Sequence, residues 1–134
     1  EEHHFTYSLM PHAGGWREAR THHEALDLNN PVHCVTLEKQ TGDLDTTHAY
    51  LNIDAENVTL EALKKAEKSD DLVMRLNERY GIQKTVTVTL TKEIADLAEC
   101  NLLEREDQAM DAAGNTFTFK INPYEVRTFK VKFK

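Results

Sequence analysis

The residue type in this chain best suited to chemistry is histidine, and its distribution is uneven. His3, His4, His12, His22, His23, His33 and His48 all fall within the first 48 of 134 residues. Zinc needs three or four ligands converging from fixed elements, commonly two histidines four apart on a helix or histidines supported by acids. None of these spacings occurs. The neighbours His3/His4 and His22/His23 are expected to face apart on a strand or helix, leaving one of each pair for any single site. The sequence therefore assigns no metal ligand and no catalytic residue. His12 stands out, because it sits between Pro11 and the turn His-Ala-Gly-Gly, where a side chain is presented rigidly. Its simpler role is a hydrogen bond tying that turn to a neighbouring helix.

Acids are the second group. Paired carboxylates support acid–base and nucleophilic chemistry at acetal centres, but most acids here lie in charge-rich runs. Glu61, Glu67, Asp70 and Asp71 form one such stretch, and Glu104, Glu106 and Asp107 another, as expected of solvated faces. Glu18 and Glu24 lie on the predicted helix beside the only tryptophan, Trp16, and pairing with Arg17 or Arg20 accounts for them. No nucleophile elbow, phosphate-binding loop or glycine-rich dinucleotide turn is present. Trp16 and Tyr7 have rings of the kind that stack on sugars, although core or interface packing is the more ordinary use.

These residues need elements to position them. Phe5, Tyr7 and Leu9 alternate with polar neighbours, the pattern of a half-buried strand that Pro11 stops. Trp16, Ala19, His23 and Leu26 recur at helical spacing, predicting a short helix closed by Asn29, Asn30 and Pro31. From there on, short β-like runs alternate with polar turns: 32–39, 48–53, 72–80, 85–90, 116–121 and 125–133. About seven strands in roughly 100 residues point to a mainly β fold, an antiparallel β-sandwich of immunoglobulin-like size. Segments 59–68 and 93–104 stay open between helix and strand. Both are rich in helix formers, yet a sandwich needs Val58, Leu60 and Ala62 as an inward row. Context of that kind overrides propensity.

The composition is that of a soluble globular protein, with a hydrophobic share of 40%, a charged share of 29%, five glycines and three prolines. No apolar run approaches the roughly 20 residues of a membrane span, and no signal-peptide layout is visible. The net charge is −7 and the basic residues are dispersed, which argues against nucleic acid as a partner. Lys130, Lys132 and Lys134 alternate with Phe129, Val131 and Phe133, as on a strand with one wet face. Cys34 and Cys100 form no paired motif, and buried free thiols in a reducing compartment are expected.

At "HFTYSLMPHAGGWREA", followed by "ALDLNNPV", the chain resembles the C-terminal region of glycoside hydrolase family 38 α-mannosidases, closest to the cytosolic and bacterial branch. The likeness continues through "VTLEALKKAEKSDDLVMRLNERYG" and "ADLAECNLLERE", and ends in "INPYEVRTFKVKF". The resemblance implies strand for "VTLEALKKAE". It implies that residues 1–31 are a terminal strand, turn and helix of a large β-domain, and 32–134 the C-terminal β-sandwich. Retaining hydrolysis of terminal α-mannosides in oligosaccharides belongs, by the same likeness, to an N-terminal barrel holding zinc or cobalt, and no cofactor to this chain. The expected partners are the enzyme's own catalytic and large β-domains, in the cytoplasm, and the strand with Phe5, Tyr7 and Leu9 is expected either to pack on the terminal sandwich or to pair with a second copy. The expected role is to buttress the barrel. The alternatives are a module with weak mannoside affinity through His12 and Trp16, or a self-contained metal hydrolase.

Overall fold

Alternation at period two builds the core. Val86, Val88 and Leu90 share one face of their strand, Phe117, Phe119 and Ile121 share one face of theirs, and all six are buried. A computed structural model describes residues 2–134, and the chain divides into two compact units, one ending at Asp43 and one spanning Leu44–Lys134.

The second unit is a two-sheet antiparallel sandwich. Its strands are β1 (Leu51–Ile53), β2 (Val58–Lys65), β3 (Leu72–Glu78), β4 (Lys84–Leu90), β5 (Ile94–Cys100), β6 (Gln108–Ala109), β7 (Thr116–Ile121) and β8 (Val126–Phe133). One sheet runs β1-β4-β7 and the other β2-β3-β8-β5-β6. Met74 and Leu76 of β3, Leu97 of β5, and Phe129 and Val131 of β8 meet the first sheet's apolar face. Phe129 is fully buried, with its ring centroid 5.2 Å from Phe117 and 4.6 Å from Phe119. The opposite face of the smaller sheet carries hydroxyls. Thr87 and Thr118 stand directly across from each other, as do Thr89 and Thr116.

Both open segments are strand over most of their length, to Lys65 and to Cys100, for the reason context supplies: each is hydrogen-bonded there to a neighbour in the larger sheet, and the residues beyond are turns and bends. The inward row along β2 differs from expectation. A register shift between Leu60 and Ala62 places Ala62 opposite Arg75 and Leu63 opposite Met74. The bulge thus turns Leu63 and not Ala62 to the side that Met74 occupies, yet Leu63 stays 44% exposed there and does not join the core. β6 has only two residues, too short for any alternation to show, and the run expected at 48–53 pairs only from Leu51.

The first unit holds one helix, α1 (Thr21–Asn29), and no strand among its described residues. The segments expected as strands at 4–10 and 32–39 have no ladder partner there, and a strand without one leaves its N–H and C=O groups unpaired. Phe5, Tyr7 and Leu9 are exposed, as are Val32, Val35 and Leu37. Alternation does persist locally, since the Phe5 and Tyr7 rings lie on one side with centroids 6.4 Å apart. The helix starts later than its apolar spacing predicts because Arg20 adopts a left-handed conformation, φ 53°. It ends where expected: the Asn29 and Asn30 side chains donate to the Ala25 and Leu26 carbonyls at 2.7 and 2.9 Å, just before Pro31. Cys100 is buried as expected, whereas Cys34 is exposed, lying in an unpaired segment.

Candidate functional site

The turn that presents His12 is built by glycine. Gly14 has φ 72°, and a Cβ on Gly15 would come within 2.6 Å of the Glu18 carboxylate, which folds back over the turn. Backbone bonds from Ala19 to Gly15 and from Thr21 to Trp16, both 3.1 Å, connect the turn to α1. His12 itself is exposed, and its Nδ1 lies 3.3 Å from the Ala13 carbonyl. That contact stays within the turn instead of reaching the helix. Trp16 is 41% exposed, with the Arg17 guanidinium carbon 4.4 Å from its ring centroid. The turn thus holds the two residues singled out from the sequence. The His22 and His23 rings, expected to face apart, sit with centroids 3.9 Å from each other. Neighbours on a helix are only about 100° apart, and at the first turn both rings lean together. Among the described residues no three His, Cys, Asp or Glu side chains converge as metal ligands.

The sandwich has a more densely bonded polar centre, which residue spacing did not reveal. Glu78, at the end of β3, is 1% exposed. Its Oε1 accepts from Asn57 Nδ2 and the Tyr80 amide, both at 2.8 Å, and its Oε2 from the Gly81 amide at 2.8 Å and the Tyr124 amide at 2.9 Å. Burial pushes the carboxyl up, but the Tyr124 amide, the Asn57 side chain and the Tyr80 and Ile82 amides outweigh it and hold it below its ordinary value. One carboxylate therefore fastens three loops. Gly81 has φ 74°, and a Cβ there would lie 2.6 Å from the Tyr124 hydroxyl. Tyr124 is also left-handed, at φ 59°. The signal for this corner lay in "ERYG" and "NPYE", both inside the stretches that carried the family resemblance.

The outer face of the larger sheet is the third polar region. Val73 and Thr128 point away from the core yet are buried. The segment Asn101–Asp107 lies across them. Arg75 donates to the Leu102 carbonyl at 3.1 Å and to Thr128 Oγ1 at 3.3 Å, Lys64 pairs with Glu104 at 2.7 Å, and Lys130 grips both Asp107 oxygens at 2.8 and 2.7 Å. Asn101 Oδ1 caps the strap by accepting from the Leu103 and Arg105 amides at 2.9 and 3.1 Å. Beside it runs a groove of about 390 Å³, lined by Asp70, Asp71, Asp96, Asp107, Lys130 and Lys132 among others. With four aspartates against two lysines the groove is a solvated, net acidic surface, offset in part by the Lys130–Asp107 pair. At the sandwich end Arg127 forms a two-pronged pair with Glu99 while its guanidinium carbon stands 5.5 Å from the Phe119 ring centroid.

Fold and polar centres together define a class: an antiparallel β-sandwich domain whose buried and half-buried charges hold its own loops. Residues 57–129, more than half of the chain and most of the sandwich, match the Glycosyl hydrolases family 38 C-terminal beta sandwich domain, and the chain belongs to that family. It is 32% identical to Alpha-mannosidase G of Dictyostelium discoideum over 96% of its length, and 31% identical to Alpha-mannosidase 2C1 of Mus musculus over 94%. Alpha-mannosidase 2C1 of Homo sapiens is 31% identical over 92%. The chain spans 12% of the length of each of these relatives. No helix among the described residues is long and apolar enough to cross a membrane.

Proposed function

We propose that this chain serves as the non-catalytic C-terminal β-sandwich portion of an α-mannosidase, buttressing a catalytic barrel supplied by the rest of such an enzyme. The observation that carries the reading is where its acids go. Glu61, Glu78, Glu99 and Glu104 each bond the sandwich's own side chains or amides, so these four act as braces within the domain. On this reading, retaining hydrolysis of terminal α-mannosides in oligosaccharides, with the zinc or cobalt it uses, belongs to the barrel. The described residues offer no ligand set for that metal. The large β-domain and barrel are then the partners, and an exposed free Cys34 suits a cytoplasmic setting.

The test is an assay of the full chain on an aryl α-mannoside with zinc or cobalt added. The expected result is no turnover above buffer; measurable turnover overturns the proposal. A second reading, a weak mannoside-binding module, is favoured by a half-exposed Trp16 and an exposed His12 in the same short glycine-turn stretch. Calorimetric titration with mannose and short mannosides decides it, since heat that disappears in Trp16→Ala supports binding and absence of heat removes it.

A further inference from the structure

Asn57-Val58-Thr59 is the only Asn-x-Ser/Thr triplet in the sequence, and in any setting that reads it the triplet is an acceptor for N-linked sugar. Such acceptors ordinarily occupy surface loops. Here both reactive side chains are interior, since Asn57 and Thr59 are each 5% exposed.

The geometry points to a masked acceptor: sugar transfer to Asn57 and folding of the sandwich exclude each other. Transfer forms a bond between Asn57 Nδ2 and the anomeric carbon, breaks that carbon's bond to the diphosphate of an activated sugar, and releases one Nδ2 proton with the diphosphate. In the folded chain the same Nδ2 donates to Glu78 Oε1 at 2.8 Å and approaches the Ile82 carbonyl at 3.4 Å. Both of its protons are thus in use. A sugar ring on that atom removes one of them and occupies space that the buried Glu78 carboxylate fills. The hydroxyl that defines the acceptor is equally committed, because Thr59 Oγ1 donates to Glu61 Oε1 at 2.8 Å and receives Arg79 Nε at 3.2 Å. Val58 between them is already paired opposite Glu78 at the start of β2. Once the Glu78 corner closes, a transferase has neither nitrogen nor hydroxyl to engage. If transfer comes first, the corner cannot close.

Two measurements test this on the full chain. A purified N-glucosyltransferase with UDP-glucose is given the folded chain and, separately, a linear peptide spanning 50–66. Mass spectrometry is expected to show Asn57 modified in the peptide and at least roughly a hundredfold more slowly in the folded chain, where only opened molecules react. The chain is also assembled from three synthetic segments joined at Cys34 and Cys100, with Asn57 bare or carrying one N-acetylglucosamine. The bare chain refolds, whereas the sugar-bearing chain loses its cooperative transition or melts more than about 10 °C lower. Comparable transfer to folded chain and peptide, or a sugar-bearing chain melting within that margin, overturns the inference.

Discussion

A carboxylate ringed by the Asn57 side chain and the Tyr80, Gly81, Ile82 and Tyr124 amides behaves unlike a surface acid. Glu78→Gln keeps the shape but turns an amide group toward the Gly81 and Tyr124 amides or toward Asn57 Nδ2, and is expected to cost about 2–4 kcal/mol in denaturant unfolding. Its acid response follows from the lowered value. The folded carboxyl titrates below the unfolded one, near about 4.3, so its contribution is fully present above that pH and fades as pH falls through the folded value. Urea midpoints measured down through this window should fall more steeply for the native chain than for Glu78→Gln. Gly81→Ala meets both a left-handed backbone and the Tyr124 hydroxyl, and should cost about 1–3 kcal/mol. None of this was visible in residue types. An acid at the end of an alternating strand looks like any wet-face acid until the loops that donate to it are placed, and those loops lie up to 46 residues away. His12 and Trp16, by contrast, were singled out from a local feature, since the adjacent glycine pair allows a turn there, with Gly14 at φ 72°, whatever the distant chain does.

Elements were readable in proportion to how far their pattern is local. β4 and β7 alternate strictly and appear as read. β2 and β5 carry helix-forming residues, and only the partner strands decide them, since a row of inter-strand bonds and a buried face outweigh a few tenths of a kcal/mol per residue of propensity. The bulge in β2 was invisible, because nothing in Leu-Glu-Ala-Leu marks which residue will be skipped. The expected strands at 4–10 and 32–39 failed for the complementary reason: the pattern is present, but the described residues of their unit supply no edge to pair with. The strap Asn101–Asp107 yields its own prediction. Arg75→Ala removes the donor to the Leu102 carbonyl, so amide exchange across 101–107 should accelerate while global stability drops by only about 1 kcal/mol. Unchanged exchange there would show that the strap is held without Arg75.

At the scale of the whole molecule, the division into two units separates the chain's reactive and optical groups. Cys34, exposed in the first unit, should react with a thiol reagent at once, whereas Cys100, buried under the strap and with its thiol pushed up by burial, should react only after unfolding. One thiol per chain in buffer and two in urea is the expected count, and two in buffer would contradict the burial of Cys100. The sole tryptophan divides the same way. Trp16 belongs to the unit ending at Asp43, while the sandwich holds no tryptophan but three of the four tyrosines, Tyr50, Tyr80 and Tyr124. Indole emission therefore reports on the histidine-rich unit and tyrosine absorbance largely on the sandwich. Melting curves recorded at the two wavelengths are separate experiments on one polypeptide, and their coincidence or separation measures directly whether the two units unfold as one cooperative body.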